Sequence, residues 1–200
     1  MQLFLKRLND IFVSLLGLIF FLPFGIIISI LIVTGSRGGV FFIQKRVGKS
    51  NKDFGMFKFR TMRKDSEKKG LLITVGNDIR ITSTGKFLRK FKLDEIPQLI
   101  NVLIGDMSLV GPRPEVRKYV DMYTEEQKKV LLVKPGLTDY ASIEYINEND
   151  ILGRSPDPEK TYIEEVMPAK LKLNEKYLDN VTISHDFRIM WKTLVKIIVQ

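Results

Sequence analysis

Two adjacent carboxylates, Asp94 and Glu95, sit in the densest stretch of the chain, STGKFLRKFKLDEIPQLINVLIGDMSLVGPRPE. An ionised carboxylate can attack phosphorus or hold Mg²⁺. Ile96, Leu99, Val102 and Leu103 mark one face of a helix that opens near Asp94 and closes at Gly105. Pro97 then falls in the first turn, where a missing N–H does no harm. Free N–H groups at that helix start favour negative charge and keep one carboxylate ionised. Taken alone, the pair reads as an ordinary N-cap. The cations around it change that reading: Arg89 precedes the pair, and Arg113 is held extended between Pro112 and Pro114. An anionic nucleophile meeting an anionic phosphate needs such positive charge to offset repulsion, so the residue types fit phosphoryl transfer. Lys58, Arg60 and Arg46 are further candidates for phosphate contact, although cations on a strand face are more often only solvated.

Other chemistries are excluded by composition. With no Cys the chain has neither disulfides nor a thiolate metal site, and one histidine, His185, rules out a His-based triad or a multi-His zinc site. His185 is read as structural. No GxGxxG or Walker-type phosphate loop is present. The 200 residues suffice for one domain of ordinary size, and 32 Lys+Arg against 23 Asp+Glu give a net charge of +9, so an anionic partner is expected.

The elements that must position these groups begin with an apolar segment. Residues 11–33 carry no charge, too long a run for a secretory signal core. Pro23 at its centre predicts a kink, loosened further by Gly25, while Lys6 and Arg7 before the run and Arg37, Lys45, Arg46 and Lys49 after it mark both flanks as positive. A kinked single span and a hairpin that returns to its face of entry both accommodate the proline. The hairpin would satisfy both flanks, proline is common in spanning helices too, and the residues alone leave the two readings about equal; Ser14 and Ser29 could serve backbone groups freed near a break.

Downstream, GGVFFIQKRVG and DFGMFKFRTM read as strands, the second placing Lys58 and Arg60 on one face. Residues 62–70 read as a charged loop or helix start. Residues 124–133 look helical from a Thr124 cap, KPG makes a turn, and residues 156–180 suggest helices interrupted at Pro168. In the last stretch Phe187, Met190, Trp191, Leu194 and Ile198 form an apolar stripe flanked by Arg188, Lys192 and Lys196. Core packing is the expected role of this helix, with a membrane interface the alternative. The expected fold is α/β, mostly helical with a small sheet.

LDEIPQLINVLIGDMSLVGPRPE, together with FIQKRVG, FKFRTM and KPGLT, resembles the bacterial sugar transferases, small monotopic phosphoglycosyl transferases of glycan assembly; the likeness runs from Lys6 to the C-terminus. The resemblance implies transfer of a sugar-1-phosphate from a UDP-sugar to a polyprenyl phosphate such as undecaprenyl phosphate, with release of UMP. It further implies that Asp94 attacks the β-phosphorus, carries the phosphosugar covalently and contacts Mg²⁺, and that Glu95 assists proton or metal handling. Arg113 matches a phosphate-holding residue, with Arg89 and Lys58 in support. Residues 1–36 become a re-entrant membrane helix broken at Pro23, and residues 37–200 one cytosolic catalytic domain with amphipathic interfacial helices. The expected place is the cytoplasmic face of the bacterial inner membrane, with membrane lipid as a partner, a homodimer left open, and no nucleic acid.

Two positions depart from the family pattern. Leu22 stands where members commonly have Ser before the proline, and Asp139 stands where many have Gly after the KPG turn. The competing readings are a basic membrane-anchored module for acidic lipid or nucleic acid and an anchored phosphatase with an Asp nucleophile. The aromatics lie mostly at apolar helix or strand positions, which does not suggest a base-stacking platform.

Overall fold

The computed structural model describes residues 2–64, 66, 73–76 and 78–199. Much of the stretch read as a charged loop over residues 62–70 lies outside them. Helix α1, Gln2–Gly35, is the one helix among the described residues long and apolar enough to cross a membrane. Helical structure continues through Pro23, which removes one backbone hydrogen bond and leaves its neighbours helical. Ser29 donates to the carbonyl of Gly25 at 2.6 Å, within the turns beside the proline, whereas the Ser14 hydroxyl is buried without a partner.

Strand β1, Phe41–Val47, pairs antiparallel with β2, Asp53–Phe59, in a register that sets Phe41 opposite Phe59 and Ile43 opposite Phe57. Helix α2, Ser83–Lys90, starts at Thr82, whose hydroxyl accepts from the Gly85 N–H. Helix α3, Gln98–Ile104, ends at Gly105 with φ +97°, a conformation that favours glycine. Strand β3, Ser108–Val110, runs parallel to β4, Gly136–Thr138. The segments approach so closely that a Cβ at Gly136 would lie 2.1 Å from the nitrogen of Gly111, which explains the glycines of GPRP and KPG. The expected small sheet is therefore two separate two-stranded ladders.

Between β3 and β4 lies α4, Arg117–Val120, followed by a 3₁₀ turn over Gln127–Leu132. The expected capping exchange is present, with Thr124 N–H donating to Gln127 and Gln127 N–H to the Thr124 hydroxyl, but the turns are tighter than α. Short helices α5, Tyr140–Glu144, α6, Glu148–Gly153, and α7, Pro158–Thr161, lead to a π turn at Tyr162–Val166 and then α8, Met167–Leu178. The irregularity expected at Pro168 takes the form of that π turn immediately upstream.

Helix α9, Ile183–Ile198, corrects the core-packing expectation. It buries Asp186 and Ile189, while Phe187, Trp191 at 68% exposure, Leu194 and Ile198 at 80% face outward. The inward side is set by Asp186, which takes hydrogen bonds from Lys6 and the Tyr177 hydroxyl, and this turns the apolar stripe out. Lys6 and Arg7, read as a positive flank of the apolar run, are also internal ties: Arg7 donates to the carbonyls of Val102 and Leu103 at the C-terminus of α3. At the other end of α1, Ile28 and Ile32 pack with Phe59 and Leu88. Both ends of the apolar helix are thus fastened to the same body, while much of its remaining surface is exposed.

Candidate active site

Asp94 and Glu95 fall in a 3₁₀ turn, Leu93–Glu95, entered through Lys92 in the left-handed region and followed by Pro97 as the N-cap of α3. No side-chain hydrogen bond caps the turn or the helix, so the N-cap role is not what the pair does. Asp94 is 6% exposed and its Oδ1 is buried without a partner. Burial raises its carboxyl above the usual range, and the adjacent Glu95 charge raises it further, against the pull of Lys58, Arg89 and Lys92. The member of the pair expected from the sequence to stay ionised is therefore its neighbour.

Glu95 is the ionised member. Burial works to raise it, but Arg113, Lys58 and Lys92 together hold it well below the usual carboxylate range. The Arg113 guanidinium forks onto it, Nη2 to Oε1 and Nη1 to Oε2 at 3.2 Å, and the Lys58 ammonium stands 3.4 Å from Oε1. Glu95 in turn raises Arg113, while burial lowers Lys58 to about 8 despite its acidic neighbour.

Two residues beyond the site candidates set this geometry, one of them, Asp139, noted in the sequence only as a departure from the family pattern. Asn101, buried in α3, accepts from the Phe57 N–H at 2.9 Å and donates to the Gly55 carbonyl at 2.7 Å. It thereby fixes the strand that carries Lys58 against the helix that follows Asp94. An amide on an otherwise apolar helix was the available signal. The second is Asp139, whose Oδ2 accepts from the main-chain N–H of Arg113 at 2.9 Å. The departure at this position is thus a buried structural group.

The remaining candidates separate. Arg89 is partly buried and donates to the hydroxyls of Thr61 at 2.9 Å and Thr74 at 3.0 Å, leaving its charge to act on Asp94 from a fixed place. Arg46 pairs with Glu115 at 2.9 Å and reaches the Pro114 carbonyl at 3.2 Å, so it braces the Pro112–Pro114 segment. Arg60 donates to the carbonyls of Ser36 and Arg37 at the C-terminal end of α1. His185 contacts the Tyr140 hydroxyl and the Asn180 carbonyl, in keeping with a structural role.

A cavity of about 1330 Å³ contains Asp94, Glu95, Arg113 and Lys58, with Arg46, Arg60 and Arg89 also on its walls. Its walls also include Val13, Gly17 and Phe21 of α1 and Met190, Leu194 and Ile197 of α9. The lining thus combines cationic side chains with apolar ones from two helices that have exposed apolar faces. This suits a ligand with an anionic head and a hydrocarbon tail.

The chain belongs to the bacterial sugar transferase family, whose sequence pattern it matches over residues 1–200. Among similar proteins is the UDP-N-acetylgalactosamine-undecaprenyl-phosphate N-acetylgalactosaminephosphotransferase of Aeromonas hydrophila, 37% identical over 194 residues that cover 96% of this chain and 43% of that protein. The exopolysaccharide production protein PSS of Rhizobium leguminosarum bv. phaseoli is 38% identical over 202 residues, covering 98% of this chain and 96% of that protein. The UDP-glucose:undecaprenyl-phosphate glucose-1-phosphate transferase of Escherichia coli strain K12 is 34% identical over 196 residues, covering 96% and 40% respectively. The chain thus spans less than half the length of the first and third of these relatives.

Proposed function

We infer that the chain transfers a sugar-1-phosphate from a UDP-sugar to undecaprenyl or a similar polyprenyl phosphate. The observation that carries this is a buried carboxylate without a partner at Oδ1, acted on by Lys58, Arg89 and the Glu95–Arg113 pair, in a cavity also lined by apolar side chains of α1 and α9. In the first step an Asp94 oxygen bonds to the β-phosphorus of the donor. The bond from that phosphorus to the bridging oxygen breaks, and UMP leaves with the electron pair. In the second step a phosphate oxygen of the acceptor bonds to the same phosphorus, the bond to Asp94 breaks, and a polyprenyl diphosphate sugar is released. Lys58 and Arg113 face the phosphate charge during both displacements.

The residues fit Mg²⁺ in a limited way. Both Glu95 oxygens are engaged by Arg113 and no cluster of three acidic or histidine ligands occurs among the described residues, so of this carboxylate pair Asp94 Oδ1 is the open oxygen. That matches an ion that keeps water and takes most of its ligands from a diphosphate. When bound, it supplies charge neutralisation at the phosphoryl oxygens.

Fastening both ends of α1 to one body supports the re-entrant reading, with the helix dipping into the bilayer and returning at the cytoplasmic face of the inner membrane. A straight helix of its 34 residues is roughly 51 Å long and would carry one end across. The outward stripe of α9 adds an interfacial contact. The test is UMP release from a panel of UDP-sugars with undecaprenyl phosphate and Mg²⁺. Turnover of one donor supports the reading, whereas release of inorganic phosphate in place of UMP indicates a phosphatase.

A further inference from the structure

Asp139 is 1% exposed and immediately precedes α5. Its two oxygens serve different segments: Oδ1 accepts from the Ser142 N–H at 2.6 Å and caps α5, and Oδ2 accepts from the Arg113 N–H at 2.9 Å. Main-chain bonds from Gly111 to Thr138 at 3.1 Å and from Gly136 to Pro112 at 3.0 Å lace the same two segments together. On one side of this joint the Arg113 guanidinium forks onto Glu95. On the other, the chain leaving α5 supplies Tyr145, Asn147 and Glu148 to the wall of the cavity that holds Asp94.

We propose that Asp139 is a positioning residue for the transfer, holding the phosphate-facing Arg113 and the α5 wall of the donor site in one register through a single carboxylate. This rests on the transferase reading. A carboxylate is needed because two donors from different segments converge on it; a hydroxyl has one oxygen and reaches one of them. Without the second bond the Arg113 N–H loses its partner, and the guanidinium is held only by its pair with Glu95.

Asp139→Ser separates the two roles, since Ser is itself a favoured N-cap and keeps α5 started. The variant is expected to stay folded but melt several degrees below wild type, to lose roughly tenfold to a hundredfold in kcat for UMP release, and to change the donor KM less. In an Arg113→Ala background the same substitution is expected to cost nothing further, because Asp139 acts through Arg113. Amide hydrogen exchange at Arg113 should accelerate in Asp139→Ser, a readout that needs no donor. Wild-type turnover by itself tests the transferase reading. Unchanged exchange at Arg113, or a kcat loss that persists in full in the Arg113→Ala background, would overturn the positioning role.

Discussion

Substituting each of two neighbouring carboxylates by its amide is expected to move stability in opposite directions. Glu95 answers two partly buried cations, with side-chain exposures of 12% for Glu95, 16% for Lys58 and 27% for Arg113. Glu95→Gln leaves both cations short of a counter-charge, at a cost of about 3 kcal/mol. Asp94 is the reverse case, a buried charge whose Oδ1 has no partner, so Asp94→Asn should stabilise by about 1 kcal/mol. For a chain of this length the two variants should melt about 10 °C apart. Their acid limbs differ too. The folded Glu95 carboxyl lies below its ordinary 4.5, so the unfolded chain binds more protons between the two values. Its stabilisation is complete above the ordinary value, is lost as pH falls through the folded one, and should vanish in Glu95→Gln. Asp94 lies above its ordinary 3.8, so the folded chain holds the extra proton and stability falls as pH rises through that window. Asp94→Asn removes that decline. Thermal melts in detergent micelles from pH 3 to pH 8 read both effects. Equal destabilisation by the two amides would refute the division of roles.

Lys58 titrates near 8 in the free protein, so kcat/KM for the donor should decline as pH rises through about 8, and Lys58→Arg should move that limb upward because a guanidinium keeps its charge. A pH–rate profile of both proteins checks this. Asn101→Leu should cost about 2–3 kcal/mol by denaturant titration, because the Phe57 N–H and Gly55 carbonyl both lose their partner. The chain has a single tryptophan, so Trp191 emission reports on α9 alone: it should shift to the blue in bilayers and be quenched by lipids brominated near the headgroup. Unquenched, solvent-like emission would contradict the interfacial role of α9.

The grouping of the candidate site was legible in the sequence because Asp94, Glu95 and Arg113 lie within twenty residues, under prolines and glycines that constrain the backbone. The end of α3 at Gly105 and the strand bearing Lys58 were legible for the same reason. Partners far along the chain were not. Arg46 and Lys58 both belong to the β1–β2 hairpin, yet Arg46 pairs with Glu115 and Lys58 with Glu95; only the folded backbone decides which acid each meets. The direction of the α9 stripe depends on Asp186 meeting Lys6, 180 positions away. The burial that raises Asp94 is likewise a tertiary property, which a helix-terminus argument applied to LDEIPQ could not contain.

The central claim, that Asp94 carries the phosphosugar, is tested most directly by intact-protein mass measurement with UDP-sugar and Mg²⁺ in the absence of acceptor. The account predicts a mass increase of one sugar phosphate, discharged on adding undecaprenyl phosphate and absent from Asp94→Asn. An adduct that persists in Asp94→Asn, or that maps to another residue, would contradict it.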